Sequence, residues 1–129
     1  AYLQHENDLT AIRRANRICF VDTDAVATNY YARQYLGHEC ERVEAFVDMS
    51  QWDAILLLNP DVKWVADGLR FAGGEQKRRR LHALLRQMYL DRGADPRRLH
   101  EVGGDYSARM QSALAVVDTL LQQPRAVQD

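Results

Sequence analysis

The sequence predicts an α/β fold, a parallel sheet with flanking helices, and two observations carry that expectation. Short apolar runs rich in β-forming residues alternate with stretches of helical periodicity, the pattern of strand–helix–strand units. Polar residues also gather at the carboxyl ends of those runs, where open parallel sheets place their ligands. The runs end in Asp22-Thr23-Asp24, in Asn59 through Gly74, and in Gly103-Gly104-Asp105.

Tyr2, His5, Leu9 and Ile12 recur at helical spacing and predict an amphipathic first helix. Arg17 to Val21 (RICFV) is apolar and stops abruptly at two carboxylates, so it is expected to be a buried strand with Cys19 as a small core residue. A helix is expected over Ala25–Leu36, capped by Asp24 and stopped by Gly37. Val43, Phe46 and Val47 suggest a further short helix. Asp53 to Leu58 (DAILLL) is a second buried strand, closed by Asn59-Pro60. The stretch from Asp61 to Gly74 is irregular and polar. Leu81, Leu84, Leu85, Met88 and Tyr89 mark one face of a strong helix. Gly93 and Pro96 precede a third strand, Leu99 to Val102, and Met110, Ala113, Leu114, Val117, Leu120 and Leu121 stripe the last helix. The domain is expected over residues 1–121, with a loose tail over 122–129.

The 129 residues are 47% hydrophobic and 27% charged, the balance of one globular unit with its own core. A formal net charge of −1 argues against general binding to nucleic acid or to a membrane surface. Positive charge concentrates between Arg70 and Arg98. The two cysteines, Cys19 and Cys40, form no CxxC pair and no disulfide framework. No apolar stretch approaches the roughly 20 residues of a membrane span, and the amino terminus is no signal peptide, so a cytoplasmic location is expected. The first residue is Ala1 and not Met, as expected for a sequence that starts inside a longer protein or has been processed.

Two segments carry chemistry. Asp22 and Asp24, at a strand end, can hold Mg²⁺ directly or through its waters, or one of them can accept a hydroxyl proton; equally, Asp24 can serve only as a helix cap. Asp67-Gly68-Leu69-Arg70 and Gly73-Gly74-Glu75-Gln76-Lys77-Arg78-Arg79-Arg80 combine glycine hinges with arginines, as in a lid closing over phosphates. An exposed basic helix start is the plainer reading of Arg79 and Arg80. Gly103-Gly104-Asp105 reads first as a turn with a helix cap. Trp64 and Phe71 can stack on a ring or pack under their loop. The four histidines lack ligand spacing for zinc.

Read together, FVDTD (Phe20 to Asp24), DAILLL (Asp53 to Leu58) and VKWVADGLR (Val62 to Arg70) resemble the NadR-type ribosylnicotinamide kinase domain. The resemblance runs from about Tyr2 to Leu121 and is most specific over Trp64–Arg70. It implies a P-loop kinase (P-loop NTPase) fold and ATP-dependent phosphorylation of nicotinamide riboside to the mononucleotide, with Mg²⁺. It also implies roles. Asp22 is the metal-linked or base carboxylate, and Asp24 supports it or binds substrate. Arg70 and Arg78 clamp the transferring phosphoryl group. Thr23, Trp64 and Asp67 contact the nucleoside, and Gly104 and Asp105 border the adenine pocket.

One departure is large. The phosphate-binding G-x-x-x-x-G-K-[ST] occurs nowhere in these 129 residues. The fold is therefore expected to be incomplete, lacking N-terminal strands, and the chain inactive alone. Its exposed strand edges would invite oligomerisation. A second resemblance is to the haloacid dehalogenase-like phosphatases, whose opening Asp-x-Asp matches Asp22-Thr23-Asp24, with Asp22 as nucleophile and Asp24 as acid/base. Against it, Asn59 stands where the second strand should end in Ser or Thr, and no second late Asp follows Asp105 at the usual spacing. A third reading is a non-catalytic domain that only binds a pyridine nucleotide.

Overall fold

A computed structural model describes residues 2–62 and 74–123. Its elements run α1 (Tyr2–Arg14), α2 (Ala25–Leu36), α3 (Glu41–Glu44), a 3₁₀ turn (Met49–Gln51), β1 (Ile55–Leu58), α4 (Glu75–Asp91), a second 3₁₀ turn (Pro96–Arg98), β2 (Leu99–Val102) and α5 (Tyr106–Gln122). β1 and β2 pair in parallel, with Ile55 opposite Leu99 and Leu58 opposite Val102, so both strands end at the same edge. Parallel neighbours need a crossover, and α4 lies in the connection between them.

The α/β class with flanking helices is therefore observed. The core is the apolar face of α4 packed on α2 and on the sheet: Met88 and Tyr89 meet Val26, Tyr30, Leu57 and Leu99. That face follows from the spacing of Leu81, Leu84, Leu85 and Met88 on a 3.6-residue period. α2 begins where Asp24 caps it and ends where Gly37 takes a left-handed φ of 81°, which a residue without Cβ adopts cheaply.

One polar cluster is built into this packing. Asn29, with 0% of its surface exposed, donates from Nδ2 to Glu44 Oε2 (2.8 Å) and accepts at Oδ1 from the Cys40 amide (2.9 Å). Arg92, just past α4, grips the same carboxylate with Nε on Oε1 (2.7 Å) and Nη2 on Oε2 (2.9 Å), and reaches Glu39 as well (2.8 Å). α2, α3 and the end of α4 are thereby tied at one point. The Arg92 guanidinium holds the Glu44 carboxyl below its ordinary range.

The expected strand Arg17–Val21 is not one. These residues are irregular, Phe20 is 73% exposed, and Cys19 is exposed and not in the core. A strand exists through its hydrogen-bonded ladder, and among the described residues β1 is paired with β2 alone. Among the described residues Arg17–Val21 joins no ladder, and an apolar run of high β-propensity that forms no ladder stays irregular. Instead Arg17 reaches the far end of the chain, donating from Nη2 to the Leu121 carbonyl (3.0 Å). The convergence expected of three strand ends is consequently observed for two. Gln122 closes α5, and the expected tail lies outside the described residues from position 124 onward.

Candidate functional site

Asp24 sits where a carboxylate is most useful to a helix. Its Oδ1 accepts from the Ala27 amide (2.9 Å), satisfying one of the free N–H groups of the first turn. The same oxygen accepts from the hydroxyl of Tyr89, 65 residues away on α4 (2.8 Å). Tyr89 is 5% exposed, and a buried phenol needs such a partner. Burial, and next the charge of Asp24, push its ionisation far up, so Tyr89 remains a donor at any ordinary pH. Thr23 precedes the cap with φ 62°, a left-handed conformation uncommon for a β-branched residue, and its hydroxyl donates to the Asp22 carbonyl (2.6 Å). Asp22 is exposed, and its carboxylate accepts no hydrogen bond among the described residues.

Asp24 also lines a shallow cleft with Gln4, His5 and Asp8 of α1, together with Phe46, Asp48 and Trp52. Its volume is about 30 Å³.

A second cluster forms at the shared edge of the sheet. Arg109, from the first turns of α5, donates from Nη2 to the Asn59 carbonyl (2.6 Å) and from Nε to the Gly104 carbonyl (2.9 Å), and it pairs with Asp61. Asp61 Oδ2 in turn accepts from the Gly104 amide (2.7 Å). That amide and the Arg109 guanidinium hold the Asp61 carboxyl below its usual range. The two strand ends approach so closely that a Cβ on Gly103 would stand 2.7 Å from Asp61 Oδ2 and 2.8 Å from Asn59 Nδ2. Asp105 caps α5, accepting from the Ala108 amide (2.8 Å).

The basic helix start lies beside this edge. Arg78, half-buried, donates from Nη1 to the Val62 carbonyl (3.1 Å), while its Nε is buried without a partner. Arg79 is exposed and pairs with Glu75 one turn before it. Trp64, Asp67 and Arg70 lie outside the described residues.

Of the residues singled out from sequence, Asp22, Thr23 and Asp24 are contiguous at the start of α2, Gly104 and Asp105 are joined to the end of β1 through Asp61 and Arg109, and Arg78 faces the segment after β1. No described hydrogen bond or ion pair joins the Asp24 group to the Gly104 group. Tyr89, Asp61 and Arg109 were missed by sequence reasoning. Tyr89 reads as one more apolar position of its helix, and Arg109 as one more surface arginine; neither carries a local signal of its long-range partner.

The exposed carboxylate of Asp22 is a hard oxygen donor. No group of three or more His, Cys, Asp or Glu side chains is assembled to hold a metal among the described residues. Mg²⁺, which keeps most of its waters and needs only a carboxylate or two plus substrate phosphates, is compatible with the exposed carboxylate there.

Comparison with known proteins agrees with the fold. The profile of the AAA domain family matches residues 1–109. The chain is 32% identical over 115 residues to the trifunctional NAD biosynthesis/regulator protein NadR of Escherichia coli (strain K12), covering 89% of this chain and 28% of that protein. To the protein of the same name from Salmonella typhimurium (strain LT2) it is 32% identical over 111 residues, covering 86% of this chain and 27% of that protein. The chain thus spans a little over a quarter of the length of these relatives.

Proposed function

The chain belongs to the AAA domain family, and on that premise we propose that it is the nucleoside-binding part of an ATP-dependent ribosylnicotinamide kinase, which converts nicotinamide riboside to its mononucleotide. The observation that carries this reading is the 32% identity to NadR over 115 of the chain's 129 residues, a stretch so long that it necessarily spans Asp22–Asp24, Trp64–Arg70 and Gly103–Asp105. The capped, hydrogen-bonded carboxylate at the start of α2 supports it, since phosphoryl transfer needs little covalent help from protein and much positioning.

In this reading Asp22 holds Mg²⁺ through its exposed carboxylate or takes the proton from the attacking riboside hydroxyl. Bound there with the phosphates, Mg²⁺ supplies charge neutralisation on the transferring group. Asp24 binds or orients the nucleoside, and Thr23, Trp64 and Asp67 complete its contacts. Arg70 and Arg78 clamp the phosphoryl oxygens with charge-assisted hydrogen bonds. Gly104 and Asp105 border the adenine. The unit with these roles covers residues 1–121 and works in the cytoplasm. Among the described residues both strands of the two-stranded sheet have an open edge, the surface through which copies of the chain would associate.

Phosphate binding in P-loop enzymes relies on the Gly-x-x-x-x-Gly-Lys-[Ser/Thr] backbone and lysine, which these 129 residues do not contain. The chain by itself should therefore bind nicotinamide riboside and form no mononucleotide from it with ATP and Mg²⁺. Chromatographic detection of mononucleotide above a no-protein control would refute the second half. Loss of binding in Asp22→Asn or Asp24→Ser, with melting unchanged for Asp22→Asn, is the expected support for the first.

A further inference from the structure

Asp24 does two jobs with one oxygen. Oδ1 accepts both the Ala27 amide (2.9 Å) and the Tyr89 hydroxyl (2.8 Å), and two donors fill the two lone-pair positions of a carboxylate oxygen. The remaining oxygen, Oδ2, accepts none of the described hydrogen bonds. The Ala27 bond alone would hold the carboxylate loosely, because a single hydrogen bond leaves the carboxylate plane free to tilt about Cα–Cβ and Cβ–Cγ. A second donor arriving from another element removes that freedom. Tyr89 is well placed to be that donor. It is 5% exposed, it belongs to the core cluster with Val26, Tyr30, Leu57 and Met88, and its ring cannot follow a carboxylate that turns.

We propose that Tyr89 is a positioning residue: from the buried face of α4 its hydroxyl fixes the Asp24 carboxylate so that Oδ2 alone is presented to a hydroxyl of the bound nucleoside. The inference rests on the proposal that Asp24 serves the substrate. It assigns Tyr89 no contact with the reacting atoms. It also gives α4 a purpose beyond packing. Arg78 and Tyr89 are eleven residues apart, about 16 Å along the helix and within about 20° of the same face. One rigid element thus carries both the phosphoryl-clamping arginine and the group that orients the acceptor carboxylate. The persistence of the phenol in its protonated, donating form suits this role.

The test is a calorimetric titration of nicotinamide riboside, with Mg²⁺, into the full chain and four variants, each checked by thermal melting. Tyr89→Phe keeps the ring and deletes the donor; binding should weaken roughly fivefold to tenfold, the worth of one oriented hydrogen bond. Asp24→Ser keeps a capping oxygen but removes the carboxylate, and should weaken binding at least as much. In the double variant the Tyr89→Phe substitution should cost nothing further. An equal cost in both backgrounds would mean that Tyr89 affects binding by a route that does not pass through Asp24, and would overturn the proposal. Asp24→Asn guards against a core that tolerates no change at Tyr89. Two donors compel its amide to turn the oxygen toward Ala27 and Tyr89, so its NH₂ meets the substrate where an acceptor is needed. Binding should then fall more than tenfold while melting changes little. Wild-type affinity in Tyr89→Phe or Asp24→Asn would overturn the proposal and leave nucleoside binding by the chain intact. No binding by the wild-type chain would overturn both.

Discussion

Asn29 is the buried polar hub of the fold, and its replacement is the most informative single perturbation of stability. In Asn29→Ala, Glu44 loses a hydrogen bond from a fully buried donor and the Cys40 amide loses its acceptor. A hydrogen bond to a charged group is worth about 1.5–3 kcal/mol, but Glu44 is 42% exposed and keeps Arg92, so about 1 kcal/mol is the appropriate share. Stranding the half-buried Cys40 N–H adds about 1 kcal/mol, and the space left by the amide adds about 1 kcal/mol more. The variant should lose about 3 kcal/mol in urea denaturation at unchanged m, and about 10 °C in Tm. Asn29→Asp sharpens the comparison. It keeps the volume but sets a second carboxylate against Glu44, so it should be at least as damaging at pH 7 and recover as acid protonates the pair. A stability within about 0.5 kcal/mol of wild type for Asn29→Ala would refute the claim that this hub ties α2, α3 and α4 together.

Three other variants or conditions follow from the same geometry. Gly103→Ala forces a Cβ to within 2.7 Å of Asp61 and 2.8 Å of Asn59, which should part the strand ends at a cost of about 1–3 kcal/mol, read by denaturation. Thr23→Gly relieves a φ of 62°; against about 1–2 kcal/mol of left-handed strain stands Gly's extra unfolded-state entropy of about 0.5–1 kcal/mol, so Tm should hold or rise slightly while nicotinamide riboside affinity falls. The pH dependence has a definite sign. Glu44 is held below its ordinary pKa of 4.5, first by the Arg92 hydrogen bonds, so folding binds fewer protons than unfolding there. Its contribution is full above about 4.5 and disappears as pH drops through the lowered value. In Arg92→Met that part of the acid sensitivity, followed by Tm between pH 6 and pH 3, should shrink.

Much of the fold was legible in the sequence because it is local. The helix over Ala25–Leu36, its Asp24 cap and its Gly37 stop, and the strand Leu99–Val102 all follow from spacing and terminal chemistry, and each is found at those bounds. Arg17–Val21 failed for a non-local reason. Its apolar, β-branched composition describes a residue run willing to be a strand, but pairing depends on a neighbour that no local pattern supplies. The site divides the same way. Carboxylates at the start of α2 and a cap at Asp105 were readable, whereas the Tyr89–Asp24 bond spans 65 residues and the Arg109–Asp61 pair 48. Those contacts exist only once β1 and β2 stand side by side and α4 is laid across α2.

The central claim is that these residues form a binding site for nicotinamide riboside, and direct titration of that nucleoside into the wild-type chain tests it. Saturable one-to-one binding that is lost in Asp24→Ser is the predicted result. Absence of binding at millimolar nucleoside, or affinity unchanged in Asp24→Ser, would contradict it.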